Sequence, residues 1–199
     1  MVHMNSEQIP TGEKEPARWE RITGTLEDLT EMYKVHERYI YMTPEIQDKD
    51  IRIPSDKVLE EQYGYVKNEN MAMLLRRGNR SIGYLVVRPR PIKEHGITLS
   101  IGALEIATTE IDLSVAGKLI EVLKSFASET KATYISWTIG PPRMGTFSEK
   151  IGAQEIGDSQ YVLPIEQLDK RSIFQSIKTW REQIKSEPQS HEESDVDYD

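Results

Sequence analysis

The order of elements written into Ile97–Ile165 constrains this chain more than any other feature. Ile97–Thr108 is nearly all apolar or small and rich in β-branched residues, the composition of a buried strand. It is long for one strand, and Gly102 in its middle predicts a bend or bulge there. Leu113–Glu129 follows as a helix, with Leu113, Ala116, Ile120, Leu123 and Ala127 as its apolar stripe and Asp112 or Ser114 as its cap. A second strand is expected at Thr133–Ile139. A short helix pinned by Phe147 and Ile151 should stop at Gly152, and a last hairpin, Gln154–Ile165, should turn at Gly157-Asp158.

Upstream, Leu26–Ile40 reads as a helix whose face is Leu26, Leu29, Met32, Tyr33, His36 and Ile40. Thr25 with Asp28 three residues on is an acidic variant of the capping box. Residues 44–54 read as a loop, and Ser55 can cap a short helix, Asp56–Tyr63, ended by Gly64. Met71–Arg76 and Ser81–Arg88 are two strands joined by a turn at Arg77-Gly78-Asn79-Arg80, and Pro89 and Pro91 are expected to bar the second strand from continuing.

The 199 residues fit one domain, 22–165, preceded by a flexible arm over 1–21 with Trp19 docking at its end. An amphipathic helix over 166–186 and a disordered acidic tail over 187–199 follow. The tail holds six of the acidic side chains with no Lys or Arg, so the remainder of the −8 net charge is only about −2. That balance argues against a nucleic-acid partner, which selects a dense cationic face. There is no cysteine, hence no disulfide, thiolate metal site or cysteine nucleophile, and the histidines lack metal-ligand spacing. No apolar run has the length of a membrane span and no signal peptide is visible, which suggests a cytoplasmic setting.

Residues 22–165, most sharply 104–163, resemble the GNAT superfamily of N-acyltransferases. The resemblance implies an α/β fold: a mixed, mostly antiparallel sheet flanked by helices. It also implies a central strand splayed from the next parallel strand, with acyl-CoA threading the gap and its diphosphate on a helix N-terminus. A helix N-terminus suits such an anion because its first N–H groups are unpaired and lie at the positive dipole end. The family's phosphate loop carries a basic residue or Gln, two variable residues, Gly, one variable residue, then Gly or Ala. Here those positions fall on Ile111, Asp112, Leu113, Ser114, Val115 and Ala116, and only Ala116 fits. Glu110 and Asp112 bring carboxylates to where the diphosphate would lie.

Arg143–Ala153 resembles the family's aromatic-Tyr-Glu-Lys-Leu-Gly-Phe signature, with Ser148 at the tyrosine and Pro141 at the asparagine that usually precedes the helix. The tyrosine protonates the leaving thiolate in active members, and a serine hydroxyl is a far poorer acid. The combined departures point to a catalytically degenerate member used for binding or assembly, with no bound cofactor.

The alternative is an active acetyl-CoA-dependent N-acyltransferase. It would use Glu105 as general base, with Ser148 at the acid position. Its cofactor would lie along Ile106, Thr108, Ser114, Ala116, Gly117 and Lys118. Against this, Glu105 reads as a strand residue facing solvent or a salt bridge, and His36 as a core or boundary histidine. The segment Tyr134–Ile165 also resembles degenerate GNAT-like domains of bacteriophage virion proteins, which implies a host-cytoplasm or virion setting.

In the last helix Ile173, Ile177, Trp180 and Ile184 form one apolar stripe with Phe174 alongside. Either the stripe packs on the domain's own sheet, or Ser172–Lys185 docks on a protein partner or a second copy of the chain.

Overall fold

The structure, a computed structural model, describes residues 15–40, 48–68, 71–107, 110–138, 148, 151–157 and 159–175. Seven strands form one sheet: β1 (Ala17–Arg21), β2 (Ala72–Arg77), β3 (Arg80–Ile92), β4 (Gly96–Ile106), β5 (Tyr134–Thr138), β6 (Gln154–Gly157) and β7 (Gln160–Pro164). Their order is β1-β2-β3-β4-β5-β7-β6, and every pairing is antiparallel except β4 with β5. Helices α1 (Leu26–Ile40) and α2 (Asp56–Tyr63) cover one face and α3 (Leu113–Thr130) the other. This is the mixed, helix-flanked α/β sheet that the sequence predicts.

Each face has its own core. Leu29, Met32, Val35 and Leu59 of α1 and α2 close over Leu74 and Val86. Leu119, Leu123 and Phe126 of α3 close over Leu85, Leu99 and Ile135. Each such side chain contributes about 1.5–3 kcal/mol when fully buried. The α1 cap forms as expected: the Asp28 N–H donates to Thr25 Oγ1 at 3.2 Å and the Thr25 N–H to Asp28 Oδ2 at 3.0 Å. At α3 the cap is Asp112 rather than Ser114.

Three local readings change. Residues 17–21, expected within the arm, pair with β2 as an edge strand, and Trp19 docks on the core from it. Pro89 and Pro91 lie inside β3 instead of ending it. The Val87 N–H points toward β2, where it bonds to Met71 O at 3.1 Å, so residues 89 and 91 face that same side. There β2 has already ended, and a missing N–H breaks no ladder bond. Gly64, expected as a stop, continues right-handed (φ −61°) into a 3₁₀ segment, Gly64–Asn68. Two readings stand. A bulge at Gly102 separates Val86↔Ala103 from Val87↔Ile101, and Gly152 is left-handed (φ 83°).

The last helix begins at residue 170, where the Ser172 N–H donates to Asp169 Oδ2 at 2.8 Å. Ile173 and Phe174 pack on the α3-side core. Ile177, Trp180 and Ile184, and Asp158 of the hairpin turn, lie outside the described residues.

Between α1 and the sheet, Glu31 accepts from Ser81 Oγ at 2.6 Å and from Lys34 Nζ at 2.7 Å. Burial pushes its carboxyl up, but those hydrogen bonds and the charges of Lys34 and Arg76 more than offset it and hold the group below its ordinary value. A depressed carboxyl stabilises the fold above its unfolded value and loses that contribution as pH falls through the folded value. Urea unfolding of Glu31→Gln should therefore differ most from wild type at neutral pH and converge with it below about pH 4. A gap that stays constant with pH contradicts this.

Candidate functional site

β4 and β5 pair over only four positions, Thr98↔Tyr134 to Ile101↔Trp137, before β4 runs on to Ile106. The Ala107 N–H bonds to Ile82 O at 2.8 Å, so odd-numbered residues of this half-strand face β3. The backbone groups of Leu104 and Ile106 face the other way, into the parting, where no strand among the described residues lies alongside. Gly83 lets β3 press close on this half of β4: a Cβ there would lie 2.8 Å from Glu105 O. Leu104, on the α3 face, and Leu113, at the start of α3, are 36% and 47% exposed.

The N-terminus of α3 is filled by the chain itself. Asp112 Oδ1 accepts the Val115 N–H at 2.8 Å, while Asp112 Oδ2 accepts from Arg77 Nη2 at 2.7 Å. Arg77 Nη1 donates to Glu110 Oε2. Burial raises the Asp112 carboxyl, but the Val115 N–H and the Arg77 guanidinium outweigh it and leave the group below its usual range. Arg77 was read as part of a turn; it is the last residue of β2, and its side chain is 10% exposed.

The expected cofactor residues differ in their surroundings. Ile106 and Ala116 are buried in apolar clusters. Ser114 is exposed, Gly117 faces Lys170, and Lys118 pairs with Glu121 at 2.7 Å. Thr108 lies outside the described residues.

On the opposite face Glu105 meets α1. Both carboxylate oxygens lie 2.9–3.0 Å from His36 Nδ1, which carries its hydrogen toward them. The Tyr84 hydroxyl also bonds to Glu105; burial, then the charge of Glu105, keeps that phenol protonated. Tyr63 stands edge-on to His36 and Tyr84 at 6.3 and 6.5 Å. Glu105 faces a side-chain partner rather than solvent alone, and that partner is His36. The pairing spans 69 residues and had no signal in the sequence beyond the apolar face on which His36 lies.

Ser148 is 0% exposed, and its Oγ accepts the Trp137 indole N–H at 2.9 Å. That hydroxyl is an internal partner of a core tryptophan.

No family model and no curated protein matches this chain. Solved structures do match in shape. A Pyrococcus horikoshii protein aligns at TM-score 0.55 and 15% identity over 74% of this chain and 98% of its own. FdhC, described as a nucleotide-linked sugar GNAT, aligns at 0.51 and 14% over 85% and 95%. An acetyltransferase from Desulfovibrio desulfuricans, assigned to the GNAT family, aligns at 0.51 and 15% over 75% and 99%. The chain has the GNAT fold.

Where the resemblance would place an acyl-CoA diphosphate, the described residues put two carboxylates held by Arg77. The Val115 N–H, one of the first-turn donors that would hold a diphosphate, is already taken by Asp112. Each pair of like charges about 5 Å apart would add about 3 kcal/mol of repulsion at an effective dielectric near 20. Arg77 balances one of the two carboxylates, and both bind it already. Among the described residues no group of three or more metal-ligating side chains occurs, and no helix is long and apolar enough to cross a membrane.

Proposed function

We propose that this GNAT-fold protein does not transfer acyl groups and serves as a binding or assembly module. The observation that carries the reading is the closed α3 N-terminus, where Asp112 caps the helix and Arg77 locks Asp112 and Glu110 in place. The engagement of Ser148 by Trp137 inside the fold supports it, together with the weak acidity of a serine hydroxyl at the tyrosine's position. The proposed partner is a protein, or a second copy of the chain, docking on the part of Ser172–Lys185 that follows Ile173 and Phe174, which pack on the chain's own core. The proposed setting is that of phage-encoded virion or accessory proteins, supported by the resemblance of Tyr134–Ile165 alone; neighbouring capsid or tail genes would test it. Titrating the protein with acetyl-CoA calorimetrically should give no heat up to millimolar ligand, and micromolar binding would overturn the reading.

One observation favours the second reading, an active N-acetyltransferase. Glu105 sits on the splayed half of β4 and is held by His36 and Tyr84, as a general base would be. In that case Glu105→Gln should lower acetyl transfer to amine substrates by about 100-fold or more, the usual worth of a positioned base. Under the binding reading, wild type and Glu105→Gln are equally inactive.

A further inference from the structure

A guanidinium that is nine-tenths buried beside a helix N-terminus is an anion site by its chemistry. Arg77 has a 10% exposed side chain, and its Nε is buried with no hydrogen-bond partner. Its planar fork suits an oxoanion, and the first turn of α3 adds N–H donors. Val115, in the first turn of α3, packs into a buried apolar floor with Ala17, Leu75 and Ile106. What fills it are two carboxylates of the same chain. Glu110 donates its own N–H to Ala107 O at 2.8 Å and binds Arg77, and Asp112 arrives as the helix cap.

We infer that Glu110 and Asp112 are internal ligands of an anion site built by Arg77 and the first turn of α3. They are the residues that exclude phosphate-bearing ligands from it. The inference rests on the reading above that the chain takes no acyl-CoA, and it assigns that property to two side chains. The rest of the site remains competent: the guanidinium, its floor and the helix dipole are all in place, and only the oxygens come from within the protein.

The consequence is a gain of binding on removing negative charge. Glu110→Gln keeps the size of the side chain, and Asp112→Ser keeps a capping oxygen. The full chain carrying both changes should bind inorganic pyrophosphate at least tenfold tighter than wild type by calorimetry. Adding Arg77→Met should abolish the gain. Circular dichroism and the melting temperature show whether the double variant is folded. If it is not, Glu110→Gln alone, which leaves the helix cap intact, must raise pyrophosphate affinity at least threefold. A folded double variant no tighter than wild type overturns the inference. So does a single variant with no gain, or a gain that survives Arg77→Met. Binding of acetyl-CoA by the wild-type protein would instead overturn the proposed function, so the two failures are distinct.

Discussion

Replacing Arg77 with alanine is expected to lower the unfolding free energy by about 3–5 kcal/mol, the usual cost of removing one partner from a buried charge cluster. Arg77 binds Glu110 and Asp112, and Glu110 is only 16% exposed, so its carboxylate would be left with much of its desolvation penalty and without this guanidinium. Asp112 is 40% exposed and water can take over part of its share. The clamp also joins the end of β2 to the start of α3, elements 33–35 residues apart, so its loss should loosen the helix N-terminus as well. Urea unfolding of wild type and Arg77→Ala with unchanged m-values measures the effect. A loss below about 1 kcal/mol would mean that the clamp behaves as an exposed ion pair.

The second large effect is expected where the GNAT signature carries tyrosine. Ser148→Tyr should destabilise the protein by about 2–6 kcal/mol and confer no acyl transfer, because overpacking a filled site costs about 1–3 kcal/mol and a stranded indole N–H about as much again. Ser148 is 0% exposed and supplies the acceptor for Trp137, whose ring stacks on Tyr161 at 6.4 Å. A phenol there enters a buried position and displaces the acceptor. Thermal melting with an acetyl-transfer assay tests both parts. A stable Ser148→Tyr protein with acetyltransferase activity would show that position 148 still opens on a reaction site.

The helices were legible because their signals are local. The Thr25–Asp28 box, the Asp112 cap and the apolar stripe of α3 are each local, and the starts of α1 and α3 follow from them. β1 was not legible. The face it turns toward α3 carries Ala17, Trp19 and the exposed Arg21, which lies over the Phe126 ring at 5.1 Å while it binds Glu129. A strand whose inner face is small, aromatic and charged shows no period of two. The prolines of β3 misled for a related reason: what decides their tolerance is where the neighbouring strand ends.

The candidate site was half legible. The sequence placed carboxylates at the start of α3, and the structure has them there. It could not show that Arg77 reaches them from the far side of two strands, nor that Glu105 meets His36 across 69 residues. Both pairings are products of the sheet register, which brings β2 beside α3's entry and α1 over β4. Ser148 illustrates a different limit. Its identity suggested a lost acid, and only its burial shows the indole that it now serves.

The amide of Val115 offers the sharpest test. In a wild-type protein labelled with ¹⁵N, its resonance should be slow to exchange and should not move as acetyl-CoA is added to millimolar concentration, because Asp112 already holds that N–H. A Val115 resonance that shifts and saturates at micromolar acetyl-CoA would show that the carboxylate yields its place to a diphosphate, and would contradict the account.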